Sequence, residues 1–426
     1  MEKIKTLLIQ NQKGIAAIYI TLLVLIVVFT IAMSISILTY NEQKITGNIV
    51  KSSQAYFASE AGIEDILLRV LNTMNWSSSY TLNVGGNTAN IVVSDIIGGT
   101  RTITSTGDAS NRTRKVQAIY KISTDEISFY YGAQVGEGGM VMGNNARIKG
   151  NIYSNGSVTS IKGYIDDTIV VALNGNRIEG LEVGKDAKVH KCKNSIITGT
   201  LTYVSTTGGE VENCTAGVLV KSQPNEILPK DLPISQNQID QWKTDAENGG
   251  IIIGDYTLSD DSQELGPVKI EGNALIDNNA FLNMKGTLWI TGDLRIDNGS
   301  TIEIDFNSYG ENSGVIVVDG KIKIKPNTHL KGSGEDESYL LLLSTNSSLD
   351  DINPAVEVDN NTDAAIFYAN QGLVIIRNNV QVREITGYKV ILDNNAEVQY
   401  ESGLENATFS SGTGGTWEIS SWKEIE

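Results

Sequence analysis

Residues 15–38 form an unbroken apolar run without a charge, and Lys3, Lys5 and Lys13 precede it. As a helix the run reaches about 36 Å, enough to cross a bilayer core of about 30 Å with some tilt. The basic residues place the N-terminus on the cytoplasmic side and everything after the run outside. No A-x-A-like cleavage site follows the apolar core, and the first proline of the chain is Pro224. The helix is therefore predicted to continue to Leu71, a length of about 85 Å. Ile49, Tyr56, Ile63 and Val70 recur every seventh residue, with Ile45, Ser52, Ser59 and Ile66 as a parallel series. That is one amphipathic stripe, and Gly47 is its weak point.

Beyond the helix the period changes to two. Ile91, Val92 and Val93, then 101–104, then 116–120 read as strands of a small antiparallel sheet, with turns at Gly98-Gly99 and at 107–111. This sheet is expected to bury the helix stripe. From about Gly138 short alternating pieces come every six to eight residues between Gly, Asn and Asp. Leu288, Ile316, Leu341 and Ile366 recur at 25–28 residues, which predicts a parallel β-helix rather than a β-sandwich. The turns at 143–146, 277–280, 378–379 and 393–396 carry paired Asn residues, suited to left-handed corners and to hydrogen bonds along a stack.

The expected organisation is a leader (1–14), a transmembrane and amphipathic helix (15–75), a β head (76–125) and a first β-helix block (126–222). A linker with a short helix (223–250), a second block (251–409) and a C-terminal cap over the last coil (410–426) follow. The fold class is mainly β with one long N-terminal helix. In the linker, Ser235 and Gln238 form a capping box, Ile239 and Trp242 give an apolar side, and Gly249-Gly250 ends the helix. That helix is expected to cover an end or a side of the coils.

Composition narrows function. There are 42 glycines but 6 prolines, in keeping with coiled β structure, and the net charge of −17 argues against nucleic acid as a partner. The two cysteines and two histidines exclude a disulfide framework and a four-Cys zinc site, and no cofactor or metal site is expected. The acidic pairs Asp166-Asp167, Asp260-Asp261 and Asp350-Asp351 sit in turn-like sequence. They lack the His, Arg and Lys company of sugar-cleaving β-helices and the spacing of calcium loops, so solvated turns are expected rather than catalysis or calcium. Cys192 and Cys214 are 22 residues apart, close to one coil, and each follows a Val by three residues. Outside the cytoplasm such a pair is placed to form a disulfide; two half-buried free thiols are the alternative.

A short basic leader ending in Gly14, an apolar helix from Ile15 and an amphipathic continuation resemble a type IV pilin-like N-terminus. Residues 41–48 and 54–64 are similar to the N-terminal region of PilX-type minor pilins. The resemblance covers about residues 10–75. It implies a prepilin peptidase cut after Gly14, leaving Ile15 as the new N-terminus. Major pilins carry Glu at the fifth mature position; here it is Tyr19. The resemblance implies a non-enzymatic, single-pass membrane protein of the cell surface. Its partners would be membrane lipid, other pilin-like subunits and the pilus assembly machinery. A surface adhesin and a tethered polysaccharide-degrading enzyme are the alternatives.

Overall fold

The computed structural model describes residues 2–71, 76–95, 97, 100–122, 124–127, 129–204, 210–222, 227–297, 299–359, 365–412 and 417–425. Within these ranges it leaves the side chains of 2–14, 70–71, 122, 124–126, 222 and 417 undescribed. Two compact units divide the chain.

The first unit holds helix α1 (Glu2–Leu71), one continuous helix of 70 residues. It starts in the leader rather than at Ile15. The leader has no proline, and a single interior glycine such as Gly14 costs a helix only about 1 kcal/mol. Strands β1 (Ser79–Val84), β2 (Asn87–Val93), β3 (Thr100–Asp108) and β4 (Thr113–Ile122) follow. β1 and β2 pair antiparallel across Gly85-Gly86, whose φ angles of 55° and 86° suit a tight hairpin. β2 and β3 pair with Val92 opposite Thr104. The sheet order is β1-β2-β3-β4-β5, where β5 is Trp417–Ile425.

The helix face that meets this sheet differs from the seven-residue stripe. Ile63, Ile66 and Ser59 are buried as expected, yet Ile45 and Ile49 are exposed, and the side chain of Val70 lies outside the described residues. The buried face is Ala55, Ala58, Ser59, Gly62, Ile63, Ile66 and Leu67. A straight helix of 3.6 residues per turn drifts away from a strict heptad, and small residues let the sheet come closer than large ones. Gly107 is not in a turn but inside β3. A Cβ there would stand 1.9 Å from the Ala55 carbonyl oxygen and 2.7 Å from the Ser59 nitrogen. The predicted turn at Gly98-Gly99 lies outside the described residues.

The second unit is a parallel β-helix with an aliphatic interior. Ile252, Ile270, Ile290 and Val318 form one interior column of register partners, and the last three are buried. Each such side chain, fully buried, contributes about 1.5–3 kcal/mol. The predicted recurrence holds in two pieces but slips by one residue between them: Leu288 pairs with Ile316 in the interior and Leu341 with Ile366 on the outer face, while the register partner of Ile316 is Leu342. The longer spacing there reflects inserted segments, such as the helical turn Phe306–Tyr309.

The order of the coils does not follow the order of the chain. The stack begins at Ile251–Ile253 and rises through Glu384–Leu392. That strand then pairs in parallel with Ala133–Met142, which lies some 250 residues earlier, as Val390 with Met140. From there the stack continues to Thr215–Ser222. The two sequence blocks are thus two halves of one stack, entered in the middle. The Asn corners mark the join. Asn379, Asn395 and Asn145 all take left-handed φ angles between 58° and 59°. Asn395 donates to Asn379 across one step (3.2 Å), and the Asn144 backbone N–H donates to Asn394 Oδ1 across the join (2.8 Å).

The linker returns the chain from one end of the stack to the other. Pro224 lies outside the described residues. Residues 227–234 run extended along the coils: the Tyr153 hydroxyl donates to the Leu228 carbonyl, Gln134 Nε2 to that of Asp231, and the Tyr368 hydroxyl to that of Ile234. Helix α2 (Gln236–Gly249) completes the run, capped by Ser235, whose hydroxyl accepts from Gln238 N–H at 3.3 Å. From the coil of Val170, where the Leu173 N–H donates to the Ile227 carbonyl, to that of Ile251 about nine coil steps at ~4.8 Å span ~43 Å, and eight extended residues with fourteen helical ones supply ~47 Å. The helix lies over the side of the stack. Its Ile239 and Trp242 are fully buried with the outward-facing Val317, Leu341 and Leu343, and with Phe409.

The expected cap at 410–426 is corrected. The coil at 384–399 is not an end, because coil 133–149 lies on it. Thr408–Ser410 instead pairs antiparallel with Thr124–Glu126, and Trp417–Ile425 is the fifth strand of the antiparallel sheet. A strand finds a lower free energy by completing a ladder than by lying across coil tops.

Candidate functional site

The exposed apolar part of α1 is the feature with the clearest physical demand. Among the described residues one segment, Ile15–Arg69, is long and apolar enough to cross a membrane, with a mean hydropathy of 2.9 over its most apolar window and none of that window buried. The Thr and Ser hydroxyls within the run are satisfied by the helix itself. Thr21 donates to the Ile18 carbonyl, Thr30 to Val27, Ser34 to Thr30 and Ser36 to Ala32, all at 2.8–2.9 Å. Side-chain hydroxyls bonded back to the helix leave no unpaired donor facing an apolar medium. Gly14 lies on the backbone of α1, and Ile15, Ile18 and Tyr19 are exposed.

Further along α1 a second apolar surface is open. Ile45, Ile49, Val50 and Phe57 are exposed. Ile49, Ser52, Tyr56 and Phe57 line a groove of about 400 Å³ whose far wall is Arg114 paired with Glu424 at 3.0 Å. Tyr56 closes its own hydroxyl onto Glu60 at 2.6 Å. This flank has the size and character to take another helix side on.

The acidic pairs are engaged in turns and ion pairs. Arg147 grips Asp166 through two bonds (2.8 and 2.9 Å), and Lys185 pairs with Asp167 at 2.5 Å. Asp261 and Asp350 accept from the backbone N–H groups of Ser262 and Ile352. Asp260 takes a left-handed φ of 51°, and Asp351 pairs with Lys389 at 3.3 Å. His190 is buried and His329 stands in a strand beside Thr301. Among the described residues no three His, Cys, Asp or Glu side chains gather as metal ligands do.

Cys192 and Cys214 are bonded, with Cα atoms 6.3 Å apart. They are not register partners: Cys192 stands opposite Val211, because the coil here spans 19 residues rather than 22. The bond therefore reaches diagonally and pins the terminal coil to the one beneath it. A closed loop of this size contributes about 3 kcal/mol by chain entropy. Replacing Cys192 by Ser is expected to speed hydrogen exchange in Thr215–Ser222 and leave the coils around Leu288 unchanged. Equal exchange in the terminal coil with and without the bond would refute that role.

Sequence reasoning missed Glu384, the fully buried register partner of Ile366. Burial pushes its carboxyl well above the ordinary value of 4.5, and the Thr386 hydroxyl, donating to Oε1 at 2.7 Å, offsets this only in part. A raised folded pKa makes the contribution to stability complete below about pH 4.5 and lost as pH rises through the folded value. Glu384→Gln is expected to be more stable than the parent at about pH 8 and to differ little at about pH 5 in chemical denaturation. A gain of the same size at both would contradict a buried neutral acid. Glu357 goes the other way. Burial opposes its charge, but Lys323 (2.6 Å) and Arg377 (2.7 Å) outweigh it and hold the carboxyl below its ordinary range.

No family model matches the chain, and no curated protein matches it either. Among solved structures the chain is similar to the competence-associated pilin ComZ from Thermus thermophilus. The identity is 11% and the TM-score 0.26, over 88% of this chain and 98% of that one. At that score the likeness supports no inference about what this chain does.

Proposed function

We infer that this chain is a membrane-anchored, pilin-like surface protein that acts by assembly and presentation, without catalysing a reaction. The observation that carries this is helix α1. Residues 15–38 of it are bare and uncharged, with their Thr and Ser hydroxyls bonded back to the helix, and its second part is fastened to an antiparallel sheet by small residues. Such a helix must find lipid or other helices for the first part, and its exposed flank at Ile49 and Phe57 offers a second helix a groove. Residues 41–64 favour a place among PilX-type minor pilins, and the β-helix is the part presented outward.

Prepilin peptidase would cut after Gly14, and Ile15 would lead the mature helix into a type IV filament or its base. Tyr19 in place of a glutamate favours a subunit present in few copies at a tip or base. The test is electron microscopy of filaments from cells with and without the gene, with gold labelling of the β-helix. Loss or shortening of filaments and label at their ends or bases is expected. Unchanged filaments and label spread evenly over the cell would overturn the assignment.

A further inference from the structure

We propose that the two ends of the β-helix bind each other between copies of this chain, head to tail. The end at Thr215–Ser222 of one copy receives the end at Ile251–Ile253 of the next. Three observations carry this beyond the pilin-like assignment, and none involves helix α1.

The first is that the ends are open. Leu219 is the register partner of the fully buried Leu201, yet it is 56% exposed, and among the described residues no coil lies on it. At the other end Ile252, the interior partner of the buried Ile270, is only partly buried. Among the described residues both terminal strands keep one unpaired edge. Because every coil is parallel to the next, the two edges are opposite faces of the same ladder.

The second is that the molecule already contains such a contact. Coil 384–399 carries coil 133–149 although the chain does not pass directly between them. Parallel pairing, the Asn144–Asn394 bond and Lys149 on Glu397 at 2.6 Å hold them. Coils of this sequence therefore dock without a covalent link from one to the next.

The third is charge. The chain as a whole is strongly acidic, yet residues 185–221 hold five lysines against three acids. Residues 251–277 hold six acids against one lysine. Opposite charge on the two ends steers unlike ends together and like ends apart. A contact of this kind does not close on itself, so it extends copies into a row.

Register fixes the geometry. One outward column runs from Ile251, Lys269 and Trp289 through the stack to Lys188, Thr202 and Val220. Val220 of one copy would stand beside Ile251 of the next, at about 4.8 Å and within reach of a disulfide. The test uses the full chain in detergent micelles. Copies with Val220→Cys are mixed with copies with Ile251→Cys, and Ile161→Cys, exposed in the middle of the stack, is the control. The mixture is expected to cross-link about tenfold faster than the control and to lose that advantage in 1 M salt. Cross-linking of either variant alone at the rate of the mixture means like ends meet, and overturns the proposal. A mixture no faster than the control overturns it too. On the unmodified chain, sedimentation should show mass rising with concentration, and Leu219→Asp should remove that rise; a rise untouched by Leu219→Asp also overturns it.

Discussion

Gly107→Ala is expected to detach the antiparallel sheet from α1, at a cost of about 3 kcal/mol or more. The added methyl would sit 1.9 Å from the Ala55 carbonyl oxygen and 3.0 Å from its carbon, both of them backbone. Backbone cannot rotate away, so helix and strand must separate, and overpacking by a rigid clash lies at the upper end of its usual range of about 1–3 kcal/mol. Gly62→Ala is the internal comparison. Its methyl would meet the Ser105 hydroxyl at 2.3 Å, a side-chain atom that can turn, and Ile91 at 3.0 Å. That variant should cost about 1 kcal/mol. Chemical denaturation of both settles the matter: equal stability of the two variants would mean that the helix does not meet the sheet through these glycines.

Trp242→Ala is expected to cost about 3–5 kcal/mol, the usual price of a large core truncation. The indole is fully buried, 6.2 Å from the Phe409 ring, and belongs to the cluster that covers Val317, Leu341 and Leu343. Without it the return segment is held mainly by Lys243 on Asp319 (2.5 Å), Lys269 on Glu247 (2.9 Å) and backbone bonds. Cleavage by protease should therefore begin between 227 and 249 and precede loss of the β signal in circular dichroism. Cleavage spread over the coils instead would show that α2 does not protect this flank.

Local periodicity carried much of the fold. The apolar run, the capped helix at Ser235, the Asn corners and the pairs Leu288 with Ile316 and Leu341 with Ile366 each depend on neighbours a few residues away or on one repeat. The coil order depends on which edge meets which, and a parallel edge accepts any coil of matching pattern wherever it lies in the chain. The corners 143–146 and 393–396 share Asn-Asn-Ala and are stacked neighbours, but 277–280 carries the same three residues far down the stack, so the motif did not reveal the order. The fifth strand of the sheet, Trp417–Ile425, comes from the far terminus, beyond the reach of any local pattern. The small-residue face of α1 escaped because Gly62 and Gly107 read as breakers of helix and strand, while their use is close approach. Glu384 escaped because nothing in the sequence distinguishes a buried acid from a solvated one.

The central claim is that α1 enters a filament machinery as a processed helix. It is tested most directly by the N-terminal sequence of the protein recovered from the membrane and surface fractions. The expected chain begins at Ile15, and Gly14→Ala should leave uncut protein beginning at Met1 while the β-helix stays folded. Protein from the parent strain that begins at Met1 in both fractions would contradict it.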